Sequence, residues 1–245
     1  MELRVLALYP EQMNIYADRG NILFLRRRCE WRGIGFALTP AGPGERFDPG
    51  GHDLIYIGGG QDRDQRIVAE DMRRTKREAI AAAVSEHAVC LAVCGGYQLL
   101  GHAYELDGER IRGLDLVDLE TVRDPGPRLI GNIAIEVDVG GRRRVIAGFE
   151  NHGGRTMLGA GTTALGRVIS GHGNNGRDGL EGVREGTVFG TYIHGPILPK
   201  NAWLADHLIA LALARRHGSM PELPELDDAF EAAAHESARR AATGG

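Results

Sequence analysis

Along the first hundred residues, short apolar runs alternate with amphipathic stretches of helical period. That pattern predicts a mainly parallel sheet flanked by helices. Leu3 to Tyr9 (LRVLALY) and Ile34 to Leu38 read as strands, with Asn21 to Trp31 as a helix between them that stops at Gly33. A Gly/Pro-rich loop beginning at Thr39 leads to the apolar strand DLIYI, which ends at Gly58-Gly59-Gly60. Asp64 to His87, charged early and alanine-rich late, reads as one long helix. It feeds the strand AVCLAV, which stops at Cys94-Gly95-Gly96 before a further helix, YQLLGHAY.

From Gly108 onward the period shortens. RIRGLDLVDLETV, LIGNIAIEVD, VIAGFEN, TTALGRVIS and TVFGTYI alternate in the manner of strands between Gly-rich turns. The expected fold class is therefore α/β, a mixed, mainly parallel sheet with additional antiparallel strands. An apolar helix from about Ala202 to His217, the linker PELPEL and a short alanine-rich helix finish the chain. The expected organisation is one domain over residues 1–217, with residues 218–245 forming a linker and a C-terminal helix that packs on the body or on a partner.

Composition narrows the classes. The chain has 245 residues, 42% of them hydrophobic and 25% charged, which is ordinary for a globular protein. A net charge of -4 with interspersed signs leaves no electrostatic footprint for nucleic acid. The dense basic runs, Arg26 to Arg28 and Arg142 to Arg144, read as a solvated helix face and a turn. No stretch approaches the ~20 apolar residues of a membrane span. The N-terminus lacks the features of a signal peptide, so the expected location is cytoplasmic. Three cysteines there form no disulfide framework. Cys90 and Cys94 lie about 13 Å apart if the chain between them is extended, too far to share a metal.

The strongest local signal is AVCLAVCGGYQLLG. A buried strand running into Cys-Gly-Gly and then a helix is a nucleophile-elbow arrangement, in which glycines permit the sharp turn. Cys94 would sit at the C-terminal edge of the sheet, where open α/β folds bind ligands. A helix N-terminus beneath it favours a thiolate, and backbone N–H groups, that of Gly95 first, can receive an oxyanion. Cys90 and Cys29 lack this context. A thiolate nucleophile needs a base. His194 ends another apolar strand, VFGTYIHGP, which a parallel sheet could bring to the same edge; His152 in FENHGG is the next candidate. The glycines at Gly58 to Gly60 end a third strand without a following Gly-Lys-Ser/Thr, which argues for an oxyanion-binding turn over a phosphate loop.

At these residues the chain resembles the class I glutamine amidotransferases, in their cobyric acid synthase-like branch. The strand-GGG at Gly60, the elbow VCGGYQLLG, GFENHGG from Gly148 and TYIHGP around His194 carry the resemblance through most of the chain. GNNGRDGLEG at Gly173 to Gly182 and HGPILPKN at His194 to Asn201 are closer to free-standing glutaminase subunits that pair with a Mur ligase-like protein, MurT. The resemblance implies that Cys94 attacks the side-chain amide of L-glutamine, that His194 serves as its base, and that the N–H groups of Gly60 and Gly95 hold the oxyanion. It also implies that Arg128 binds glutamine. The ammonia would pass to a MurT-like partner that amidates the D-glutamate α-carboxylate of lipid II. No cofactor is expected in this chain, ATP and metal belonging to the partner ligase.

One departure concerns the third catalytic group. Many relatives read His-x-Glu where this chain has His194-Gly195-Pro196, and proline cannot orient an imidazole. Either a Cys-His dyad suffices, the arrangement expected here with slow glutaminase activity in the absence of the partner, or Glu150 or Asn151 approaches in space. Two rival functions stay open: a glutaminase for another amidation, such as that of a corrinoid precursor, and a non-catalytic scaffold that retains the fold.

Overall fold

A computed structural model describes residues 1–14, 19–106 and 108–244; Gly245, the end of the expected C-terminal segment, lies outside them. The first half comprises β1 (Glu2–Leu8), α1 (Arg19–Glu30), β2 (Gly35–Ala41), β3 (Leu54–Ile57), α2 (Asp62–Asp71), α3 (Arg77–Ser85), β4 (Val89–Val93) and α4 (Gly95–Leu99). Strands then dominate: β5 (Ala103–Leu106), β6 (Glu109–Arg112), β7 (Leu119–Arg123), β8 (Leu129–Val139), β9 (Arg142–His152), β10 (Gly154–Leu158), β11 (Gly166–Ser170), β12 (Leu180–Glu181), β13 (Val183–Glu185), β14 (Val188–Thr191) and β15 (Ile193–His194). Three helices close the chain: α5 (Ile197–Lys200), α6 (Ala202–His217) and α7 (Ala229–Thr243).

The main sheet has the order β13-β14-β4-β3-β1-β2, parallel from β14 to β2 with β13 antiparallel on its edge. The continuous apolar runs of β3 and β4 are explained by helices on both faces, and every residue of both strands is buried. β2 runs on through Pro40, which pairs opposite Ala7. An edge strand tolerates a residue without an N–H. A second sheet, β10-β7-β5-β6, and a third, β12-β11-β8-β9-β15, complete the mixed α/β fold.

Several expectations change. The helix expected over Asp64 to His87 is broken by a π turn at Met72–Lys76, where Lys76 turns inward to bond Asp71 Oδ2 at 2.7 Å and Gly42 O at 2.9 Å. The helix expected over YQLLGHAY stops at Leu99, and Ala103–Leu106 instead pair with β6 and β7. A Cβ at Gly101 would lie 2.4 Å from Leu119 O, so strand pairing there needs the glycine. The run VFGTYIH does not form one strand. β14 stays in the main sheet, while β15 pairs antiparallel with β9 in the third.

The basic run on α1 is not wholly solvated. Arg28 is fully buried and its guanidinium bonds both Asp206 on α6 and Asp228 just before α7. Burial of a guanidinium requires such paired carboxylates. Arg142 to Arg144 open β9 and are exposed. α7 packs across the third sheet, its last-turn carbonyls accepting from Asn132 Nδ2 at 3.2 Å and Ser170 Oγ at 2.6 Å. Among the described residues no helix is long and apolar enough to cross a membrane.

Candidate active site

β4 ends in a turn made within one residue. Cys94 has φ 51° and ψ −108°, a region that non-glycine residues occupy at a cost of about 1–3 kcal/mol. Neighbouring backbone holds it there: Cys94 N–H donates to Thr191 O at 2.8 Å, Gly96 N–H to Gly58 O at 3.1 Å, and Gln98 N–H to Cys94 O at 3.0 Å. Gly96 is sterically required by backbone, whereas a side chain at Gly95 would displace the Gln65 amide. A Cβ at Gly96 would lie 2.7 Å from Ile57 O, and one at Gly95 would lie 1.9 Å from Gln65 Nε2. With five residues, α4 supplies a smaller dipole than the longer helix expected from the sequence.

Cys94 opens on a cavity of about 380 Å³, and Gly60 and Arg128 lie on the same wall. Gly60 ends the glycine turn after β3; a Cβ there would strike Met13 Sδ at 2.5 Å. Neither the Gly60 nor the Gly95 N–H donates to a described backbone carbonyl outside its own element. Arg128 is held by Asn151, its Nε donating to Asn151 Oδ1 at 2.8 Å and its Nη2 to Asn151 O at 2.9 Å. Buried Arg155 steadies the preceding residue by donating to Pro127 O at 2.7 Å.

His194 and Gly95 are not on that wall. His194 is fully buried on β15, opposite Phe149 of β9. It follows by three residues Thr191, whose carbonyl accepts the Cys94 N–H, so the chain keeps it within about 10 Å of that contact. His152 is on the wall. Its Nδ1 bonds Gly154 O at 2.9 Å, its ring stacks on Tyr192 at 3.6 Å, and burial lowers its pKa, so it is neutral with the lone pair at Nε2.

Two buried carboxylates lie among these strands. Glu150 accepts from the backbone N–H of His172 at 2.6 Å and of Gly173 at 2.9 Å, and its Oε2 lies 3.9 Å from His152 Nε2. Those bonds tie it to the GNNGRDGLEG loop. Glu181 Oε1 accepts from Thr191 Oγ1 at 2.6 Å and from Tyr192 N–H at 2.9 Å; burial pushes its carboxyl up to about 7. Sequence reasoning passed over Glu181, Gln65, Glu105, Arg123 and Tyr192. Gln98 alone had a local signal, its place in the elbow helix. Cys29 and Cys90 are buried and their thiols are pushed up to about 12, so they are inert. Among the described residues no three His, Cys, Asp or Glu side chains gather as metal ligands would.

Residues 4–202 match the model of the CobB/CobQ-like glutamine amidotransferase domain. The chain is 40% identical, over 93% of its length and 86% of the relative's, to the lipid II isoglutaminyl synthase (glutamine-hydrolyzing) subunit GatD of Streptococcus pneumoniae. It is 38% identical to the subunit of the same name from Staphylococcus aureus, over 94% of this chain and 92% of that one. Among solved structures, PurLQS from Thermotoga maritima superposes with a TM-score of 0.59 at 18% identity, covering 89% of this chain and 99% of that one. The glutaminase domain of Trypanosoma brucei CTPS, with bound acivicin, superposes with a TM-score of 0.53 at 11% identity over 91% and 96% of the two chains. These two likenesses speak for the fold. The family match and the two GatD relatives together show that the chain is an enzyme of the CobB/CobQ-like glutamine amidotransferase family, in the branch of the GatD subunits.

Proposed function

We propose that this chain is the cytoplasmic glutaminase subunit of a lipid II-amidating complex, with Cys94 as nucleophile and His194 as general base. The observation that carries the reading is the strained Cys94 at the end of β4, facing a cavity that also holds Arg128 and Gly60. Cys94 Sγ attacks the side-chain carboxamide carbon of L-glutamine. The tetrahedral oxyanion is received by the N–H groups of Gly60 and Gly95, and collapse expels ammonia protonated by His194. His194 then takes a proton from water, which attacks the thioester and releases glutamate and the free thiol. Arg128, held by Asn151, binds the substrate α-carboxylate through its remaining N–H donors. Residues 1–217 form the amidotransferase domain, and residues 218–245 the linker and the C-terminal helix.

The GatD relatives are named as subunits of lipid II isoglutaminyl synthase. By analogy a MurT-like ligase is the partner of this chain, binding ATP and metal and receiving the ammonia to amidate the D-glutamate α-carboxylate of lipid II. The test uses the complex of full-length chains. Cys94→Ala abolishes glutamine-dependent amidation and leaves ammonia-dependent amidation intact; loss of both would sink this division of labour.

A second reading of the base is favoured by one observation: His152, not His194, is on the cavity wall. His194→Asn lowers glutamine turnover by about 10³-fold with ammonia-dependent amidation retained, and His152→Asn lowers it by less. The reverse ranking would move the base to His152.

A further inference from the structure

Two adjoining cavities lie outside the site at Cys94, between the helical segment α2–α3 and β6, the edge strand of the second sheet. One holds about 630 Å³ and is lined on its helical wall by Arg66, Arg73 and Arg74; the other holds about 500 Å³ and is lined there by Arg73 and Arg77. Arg110 and Arg112, two residues apart on β6 and therefore on one face of it, line both. Arg73 also lines both, so the cavities meet between Arg73 on one wall and Arg110 and Arg112 on the other. None of these residues belongs to the Cys94 cavity.

Most of that positive charge is already answered. Glu109 takes Arg66 at 2.6 Å, Glu70 takes Arg74 at 3.2 Å, Asp115 takes Arg77 at 3.0 Å and Glu120 takes Arg110 at 2.8 Å. The first of these pairs runs from α2 to β6 and ties the two walls together. Arg73 and Arg112 remain, both exposed, and among the described residues no carboxylate or carbonyl accepts from either guanidinium. Two guanidinium groups on opposed walls offer forked donors from two sides and two positive charges. A carboxylate is planar, singly charged and satisfied by one fork. A phosphomonoester has three terminal oxygens and a charge of about −1.5 to −2 at pH 7, which matches both the directions and the charge. We propose that Arg73 and Arg112 form a binding site for a phosphomonoester, whose organic part lies in the adjoining cavity. The assignment is independent of the chemistry at Cys94.

The test titrates the full-length chain with inorganic phosphate and with glycerol 3-phosphate in low-chloride buffer, followed by phosphorus NMR. The wild type binds glycerol 3-phosphate saturably with a Kd at or below about 1 mM. Arg73→Gln and Arg112→Gln each raise that Kd by about tenfold or more, as expected for lost hydrogen bonds to a charged group. Arg144→Gln, in the exposed basic run that opens β9, leaves it within about twofold. Because Arg73 and Arg112 make no bond to another described side chain, both variants keep the wild-type urea midpoint. Phosphatidylcholine vesicles with and without phosphatidic acid separate the sources of the phosphate. Binding in solution assigns a free ester; retention by the phosphatidic acid vesicles alone, abolished by Arg73→Gln, assigns a lipid headgroup. The proposal is overturned if none of the three probes binds saturably, or if Arg73→Gln or Arg112→Gln leaves the affinity unchanged. An equal loss in Arg144→Gln overturns it too, since the attraction would then be one of diffuse charge.

Discussion

β4 and β14 lie side by side, parallel and wholly buried, with Cys90 opposite Val188 and Val93 opposite Thr191. Beyond that last pair they part. The chain leaving β4 turns at Cys94 alone and is held by what lies next to it in sequence or one strand away: Gly95, Gly96, Gly58 and the Thr191 carbonyl. The chain leaving β14 abandons the sheet and reaches His194 only after crossing to β9. Its redirection depends on buried side chains, with Thr191 Oγ1 donating to Glu181 while accepting the Ile193 N–H at 3.0 Å. Steric demand therefore places the thiol, whereas a polar network places the histidine. The first is robust to changes elsewhere and intolerant of any added atom; the second has the opposite sensitivities.

Substitutions can break either side. Gly96→Ala drives a Cβ into two backbone carbonyls that cannot move aside. It should remove glutamine hydrolysis and cost about 3 kcal/mol of stability in urea denaturation. Thr191→Val deprives a buried carboxylate of its hydroxyl donor and Ile193 of its acceptor. The expected loss is about 2–3 kcal/mol, with glutamine turnover reduced while Cys94 still reacts with a glutamine-mimicking alkylator. If that alkylation also disappeared, the independence of the two strand ends would be refuted.

Glu181 sharpens the contrast through pH. Its folded-state pKa, about 7, lies above the ordinary value of 4.5, so the folded protein holds the proton more tightly than the unfolded chain does. The resulting stabilisation is complete below about pH 4.5 and is lost as pH rises through about 7. Relative to Glu181→Gln, which does not titrate, the wild type should lose about 3 kcal/mol across that window in unfolding experiments. The smallest effect concerns the elbow. Cys94→Gly should be more stable than Cys94→Ala by about 1 kcal/mol, because glycine relieves the positive φ; equal stabilities would mean the turn stores no strain.

The elbow was legible because everything that shapes it is local: an apolar strand, a cysteine and two glycines in succession. β1, β3 and β4 were legible for a similar reason, their runs being too apolar and too short for anything but buried strands. The errors share a cause. Helical periodicity continues through Met72–Lys76 and past Leu99, yet Lys76 finds acceptors inside the fold and Ala103–Leu106 find strand partners, and both outweigh local preference. Arg28 reads as a surface residue until Asp206 and Asp228, nearly two hundred residues later, meet it.

From its residue order the chain could specify the parallel half of its sheet, the turn that exposes Cys94 and the motifs that mark its family. Those depend on periodicity and on the conformational freedom of glycine, both short-range properties. Tertiary structure alone decided the company Cys94 keeps. Glu105 from β5, Arg123 from β7 and His152 from β9 converge with it because separate sheets pair across long stretches of chain. His194 was carried away from its expected strand for the same reason, since pairing between distant strands leaves no trace in the local pattern of apolar and polar residues.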